Sequence, residues 1–338
     1  MVQGRKDVAL LLLLSPLGRL SSPLLTFLGR RLAALVLTIA VASAIIFTTL
    51  EVLPGDPALL ILGINAEADT LAALRAEMGF DRPALVRYVT WVNGLITGHM
   101  GISHTYSVPV AELIAERLVI TVPLALMAFI ISTALSVPLG MYAATRRNRL
   151  GDYGVMAFSQ IGIAVPEFWL GILMVLLFAV TLDWLPAVGF PGWEAGIFPS
   201  LRALLLPSVT VAVSQAAIVA RITRSTVLEV LHADFVRTAR AKGVSESTIL
   251  FGHVLQNAAI PIVTILGLQM AFLLAGVIVV ENVFTLPGLG RLVYQAVTQR
   301  DVIVVRDVVM LLVGMVVIIN FLVDLAYALI DPRLKVTV

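Results

Sequence analysis

Three carboxylates fall inside or at the edge of long apolar runs. They are Glu167, which follows Pro166, Glu281 and Asp324. A carboxylate in hydrocarbon is costly, so each must face a bundle interior or a water-filled route. Two amides, Gln215 and Gln269, share that setting. Glu167, Gln215 and Gln269 are therefore the candidates for lining a polar route. Asp324, close to the end of its run, and Glu281 read as structural hydrogen-bonding groups. Glu167 and Asp324 are expected at different depths, which argues against a paired-carboxylate intramembrane protease. His99, Met100 and His104 lie together in "GHMGISHTY". Two imidazoles and a thioether suit a soft or borderline metal, but such residues are far more often ordinary loop residues, and no metal site is assigned. No G-x-x-x-x-G-K-[ST], H-E-x-x-H, G-x-S-x-G or G-x-G-x-x-G pattern occurs, so the chain carries no recognisable phosphate cradle or hydrolytic motif.

The elements around these groups are membrane spans. Of 338 residues 59% are hydrophobic and 13% charged, and the mean hydropathy is +1.01, which excludes an ordinary soluble domain. The net charge of +2 gives no nucleic-acid face, and the absence of cysteine excludes disulfides and thiolate metal sites. Crossing roughly 30 Å of hydrocarbon takes about 20 apolar residues. Six segments qualify: Leu32–Leu53, Val119–Ala144, Tyr153–Val180, Leu201–Ile222, Ala258–Val280 and Val308–Ile330. The fourth is weakened by Pro207 and Gln215. Fifteen of the 23 Lys and Arg fall in residues 1–31, 145–152, 221–257 and the tail. The positive-inside rule places those segments and both termini in the cytoplasm. Residues 1–31 read as an N-terminal cytoplasmic extension, 32–330 as a six-span domain with an external segment 54–117, and 331–338 as a cytoplasmic tail. The start resembles a signal peptide, but no small-x-small site follows its short apolar run.

Between the spans, Leu85, Val86, Val89, Val92 and Ile96 fall at helical spacing after Pro83. They predict an amphipathic helix on the outer surface or capping the bundle, either as structural cover or as a contact for an external partner. In the second span Ala128, Ser132, Ser136, Gly140 and Ala144 recur every fourth residue, a flat stripe for close helix packing. "LPAVGFPGWEAGIFP" reads as an outer turn region.

The cytoplasmic loop 223–257 holds "DFVRTARAKGVSE". Glu229 to Arg240 reads as one helix, ended by Gly243 in the left-handed conformation. Ser245 is placed to cap the next helix, with Glu246 in its first turn. The expected product is a protruding hairpin with a small-residue face, suited to a partner's groove, although a plain solvated loop fits the same residues.

"DFVRTARAKG" followed by "HVLQNAAIP" resembles the coupling loop of ABC importer permeases, and the A-R-A-K-G form is similar to the dipeptide, oligopeptide and nickel group. "LPGDPA", "GISHTY" before "VPVAELIAERL", "VPEFWLG", "ARITRSTVLEVL", "VVENVFTLPGLGRL" and "NFLVDLAYALIDPR" extend the resemblance over Phe27 to Arg333. One departure is Gly98-His99-Met100-Gly101, where the family usually has Gly-Asp-Leu-Gly. The resemblance implies an all-α integral membrane protein of the type I importer permease kind, with six transmembrane helices and a cytoplasmic coupling hairpin. It implies a second permease subunit, two ATP-binding-cassette ATPase subunits or domains, and an extracytoplasmic solute-binding protein, in the inner membrane. ATP and Mg would bind the ATPase partners, and no cofactor this chain. The implied ATPase contact is Asp234, Phe235, Ala239, Arg240, Ala241, Lys242, Gly243 and Val244. Short peptides are the leading cargo, with nickel, a nickel chelate or glutathione as alternatives. A stand-alone secondary transporter is the more distant alternative.

Overall fold

The computed structural model describes residues 22–52, 67–77 and 81–330, with residues 59 and 79. Most of the expected N-terminal extension, the "LPGDPA" motif and the tail 331–338 lie outside the described residues. The helices are α1 (Ser22–Val52), α2 (Ala68–Glu77), α3 (Ala84–Thr97), α4 (Val110–Thr145), α5 (Leu150–Ala164), α6 (Glu167–Met174), α7 (Ile197–Leu231), α8 (Asp234–Ala241), α9 (Glu246–Val283), α10 (Leu289–Thr298) and α11 (Val302–Ile330). Helix α9 contains a π-helical stretch, Ile249–Val254, and α6 runs on into another, Val175–Thr181.

Among the described residues, five helices are long and apolar enough to cross a membrane: α1, α4, α7, α9 and α11. The expected third span is not one rod. Helices α5 and α6 meet at a bend of 105°. Pro166 has no N–H to give the Gly162 carbonyl, and a residue before proline is pushed to extended backbone. Val165 obeys, with φ −84° and ψ 122°. Counted as one broken span, the pair is the sixth.

Helix α7 is the axle. Of its apolar window 78% is buried, against 6% for α1 and 22% for α11, so α7 is surrounded and the other two lie at the periphery. This burial explains why its sequence looked weakest as a span: a helix that faces other helices need not be apolar all round. Its small residues Ala212, Ala216, Ala217 and Ala220 are fully buried. The stripe Ala128, Ser132, Ser136, Gly140 and Ala144 on α4 is buried as well, in the most extensive packing of the fold, α4 on α7. A Cβ on Gly140 would stand 2.6 Å from the Ala220 carbonyl oxygen and from Thr223. Helix α5 uses Gly162 against Ala217 in the same way.

Polar clasps fix the ends. Asp152, buried at the start of α5, accepts from Nε and Nη2 of Arg224 on α7, Nη2 at 2.6 Å. It also accepts the Asn148 N–H at 3.0 Å. Arg31 of α1 meets Asp324 of α11 at 2.9 Å, which gives Asp324 the structural role expected of it. Glu281, fully buried, accepts from Thr121 Oγ1 at 2.6 Å, Gly290 N–H at 2.7 Å and Arg291 N–H at 3.3 Å. It thereby satisfies the second and third amides of α10, and Thr121 Oγ1 accepts the first, from Leu289, at 2.8 Å, so that Gly288, having no side chain, need not cap the helix.

Helix α3 forms where expected, but it buries a different face. Leu85, Val86, Val89 and Ile96 are exposed, whereas Trp91 and Gly94 are buried. Trp91 Nε1 donates to Asp307 Oδ1 of α11 at 2.6 Å, Arg306 lies 4.8 Å from the Trp91 ring centroid, and Phe47 and Tyr88 pack alongside. An indole with an ion pair waiting for it outcompetes aliphatic side chains that find no surface to cover.

Two outcomes test this packing. Gly140→Leu forces the α4 and α7 backbones apart and costs about 1–3 kcal/mol. The thermal midpoint of the purified protein falls, while Gly154→Leu, which meets nothing within 4 Å, leaves it nearly unchanged. Asp152→Ala strands Arg224 and costs on the order of 2 kcal/mol, below the fully buried range because Arg224 keeps 21% of its side chain exposed. In a double-mutant cycle, Asp152→Leu with Arg224→Leu is less destabilised than the sum of the single changes.

Candidate functional site

The hairpin begins with a correction. Glu229 to Arg240 is not one helix: α7 ends at Leu231, His232 and Ala233 form a joint, and α8 starts at Asp234. His232 Nδ1 lies 2.6 Å from the Leu228 carbonyl oxygen. Ala233 is extended, at φ −69° and ψ 148°, and acts as N-cap residue of α8, with Asp234 in the first turn. Neither glycine nor proline marks this break, so the sequence pattern passed over it.

The turn after α8 is as expected. Gly243 has φ +79°. Its N–H donates to the Arg240 carbonyl at 2.9 Å, and the Val244 N–H donates to the Ala239 carbonyl at 3.2 Å. That pair of bonds is the Schellman motif, which satisfies carbonyls that a helix end leaves open. Ser245 Oγ then accepts the Thr248 N–H at 3.3 Å, capping α9. Arg240 grips Glu246 across the turn, Nε at 2.6 Å and Nη2 at 3.0 Å. These hydrogen bonds hold the Arg240 guanidinium above its ordinary pKa.

The sequence reading missed what holds the hairpin down. Val236 is fully buried and belongs to one apolar cluster with Met141 and Ala144 of α4, Val227 of α7, and Ile249, Val254, Ala258 and Ile262 of α9. Ala239 and Val244 pack against this cluster. Val236 was detectable as an aliphatic residue at helical spacing from Ala239, between Phe235 and Arg237. The remaining candidates divide by exposure. Asp234, Phe235, Arg240, Ala241, Lys242 and Gly243 are exposed, while Ala239 and Val244 are half-buried. One side of the hairpin is therefore welded to three helices and the other is open.

The polar-route candidates do not form one group. Glu167 Oε1 accepts from Gln215 Nε2 at 3.3 Å. Gln269 is buried elsewhere and donates to Ser132 Oγ, joining α9 to α4. In the loop before α4, His99 Nδ1 lies 3.3 Å from Thr97 Oγ1, and Met100 packs against a cluster shared by α4, α10 and α11. Asp301 organises the loop next to them by accepting from Ser103 Oγ at 2.6 Å and the Thr105 N–H at 3.1 Å.

Comparison with known proteins follows the same lines. Residues 136–336 match the family described as "Binding-protein-dependent transport system inner membrane component", and residues 24–125 match its N-terminal companion, "Binding-prot-dependent transport system membrane comp, N-term". The "Probable peptide ABC transporter permease protein y4tP" of Sinorhizobium fredii is 40% identical over 309 residues, covering 91% of this chain and 99% of that protein. The "Glutathione transport system permease protein GsiC" of Salmonella typhi is 40% identical over 312 residues, covering 92% and 99%. Among solved structures, an inward-facing MetNI methionine ABC transporter aligns with TM-score 0.55 at 20% identity, over 65% of this chain and 96% of that one. At that identity the likeness concerns the fold. With both family matches and full-length relatives at this identity, the chain belongs to the binding-protein-dependent transport system inner membrane components and is a multi-pass permease subunit of an ABC importer.

Proposed function

We propose that this permease forms half of a translocation route for short peptides. A solute-binding protein delivers the cargo from outside, and two ATPase subunits or domains drive transport from the cytoplasm. A second, homologous permease completes the route, and ATP and Mg bind on the ATPase partners. Both termini and the hairpin lie in the cytoplasm, as the Lys and Arg distribution favours. The ATPase contact is the open side of the hairpin: Asp234, Phe235, Arg240, Ala241, Lys242 and Gly243, backed by Ala239 and Val244. The observation that carries this reading is the weld at Val236. A push on an exposed knob moves spans only if the knob cannot flex, and burial of Val236 among α4, α7 and α9 supplies that stiffness.

Peptide cargo is supported by relatives such as y4tP that are named for peptide transport. The equally similar GsiC is named for glutathione, a tripeptide-like thiol, so glutathione stands as the second reading. Neither y4tP nor GsiC is named for nickel. The rival of a stand-alone, ion-driven carrier makes a distinct claim: vesicles holding this chain alone would take up substrate.

The test uses Gly243. Its surroundings within 4 Å are empty, so a side chain there costs backbone strain alone, about 1–2 kcal/mol for a β-branched residue and less for Asn, which tolerates the left-handed region. In the reconstituted importer, Gly243→Val lowers transport and cargo-stimulated ATP hydrolysis together, with membrane insertion intact, and Gly243→Asn restores most of both. A Gly243→Val importer with normal transport contradicts the assignment.

A further inference from the structure

The break between α5 and α6 leaves backbone polar groups open at membrane depth. Pro166 has no N–H, and among the described residues no backbone hydrogen bond crosses from α6 onto the carbonyls of Gly162, Ile163 or Ala164. Ile163, Ala164 and Pro166 are exposed on the surface of the chain. The break lies about 20 Å along α5 from the cytoplasmic Arg149, at 1.5 Å per residue. Lipid tails offer no donors, so irregular backbone at this depth is tolerated only against protein or a water-filled cavity.

Glu167 is the next residue, and it differs from the carboxylates near the span ends. Asp152 and Asp324 hold arginines, and Glu281 accepts three hydrogen bonds. Glu167 is half-buried, and the ion pairs among the described residues do not include it. Its one hydrogen bond comes from the neutral amide of Gln215, itself only 7% exposed. The fold makes room for it: a Cβ on Gly276 of α9 would stand 2.5 Å from Glu167 Oε2. Beside it, the C-terminal end of α5 presents the negative pole of a helix dipole with its carbonyls open. A half-buried carboxylate with spare acceptor capacity lies beside an exposed row of open carbonyls, and the chemistry they suit together is a cation with N–H donors.

We propose that the α5–α6 break lines the aqueous route and that Glu167, oriented by Gln215, receives ammonium groups of passing cargo. The cargo part of this inference rests on the peptide reading above. The lining part does not.

The chain has no cysteine, so a single Ala164→Cys change in the assembled importer reports on this step. Relative to their rates with a free thiol, a membrane-impermeant cationic thiosulfonate gains about tenfold over an anionic one of similar size at the introduced thiol, and adding Glu167→Gln removes most of that gain. Failure of both reagents, with and without nucleotide, places the break against lipid or the partner permease and overturns the proposal; so does a cation-to-anion rate ratio no greater than that of a free thiol. Uptake then separates the cargo claim. For a tripeptide with a central Lys and its norleucine counterpart, Glu167→Gln lowers the ratio of Lys-peptide to norleucine-peptide transport severalfold, while Glu167→Asp keeps most of it. An unchanged ratio overturns the cargo role. Wild-type uptake of neither peptide would overturn the peptide reading while leaving the thiol result standing.

Discussion

The fold depends on how closely α4 and α7 approach. Where Gly140 meets the Ala220 carbonyl there is no space for even one more carbon. In a bilayer, apolar surface gains little by leaving lipid, so helices associate through packing and a few polar contacts. A stripe of Ala, Ser and Gly gives α4 a flat side, and the alanines of α7 give it a matching one. Everything else arranges around this pair. Helix α5 joins through Gly162 and the Asp152–Arg224 clasp, and α9 joins through the Gln269–Ser132 bond and the apolar cluster of Leu273, Val277 and Val280. The peripheral α1 and α11 hold each other through Arg31 and Asp324.

The same pair explains how the hairpin can act on the spans. Helix α8 hangs from the end of α7 by a two-residue joint and would swing if nothing else held it. Val236 prevents this by entering an apolar cluster shared with α4 and α9. The Schellman turn at Gly243 and the Arg240–Glu246 pair stiffen the tip. The exposed ion pair adds little stability by itself; its effect is to fix the course of the chain between two helices. The end of the bundle away from the hairpin is fixed by buried carboxylates instead. Glu281 secures α10, Asp301 the adjoining loop, and Asp307 the indole of α3.

Much of this was readable from residues alone. Five spans, the small-residue stripe, the Gly243 turn and the Ser245 cap all follow from local rules about length, spacing and backbone freedom. The failures share a cause. The course of the third span was decided by Pro166, yet summed hydropathy over Tyr153–Val180 cannot register a 105° bend. Helix α3 has apolar residues on more than one face, and the choice between them was made by Asp307, 216 positions from Trp91 in sequence. The joint at His232 and Ala233 carries neither glycine nor proline. In each case a partner distant in sequence, or the angle between two acceptable helices, settled what local pattern left open. Glu167 and Gln215 were picked out as polar groups in spans and do meet, while Gln269 serves helix packing, a distinction that needs the third dimension.

The central claim is that the hairpin is a stiff cytosolic lever gripped by an ATPase. Its most direct test places a photo-crosslinking residue at Lys242 in the complete importer and follows its products through the nucleotide cycle. The account predicts a crosslink to an ATPase subunit that persists with and without nucleotide, because a lever must stay seated while it moves. Labelling of Lys242 from the extracytoplasmic side, or crosslinks to lipid alone in the assembled complex, would contradict it.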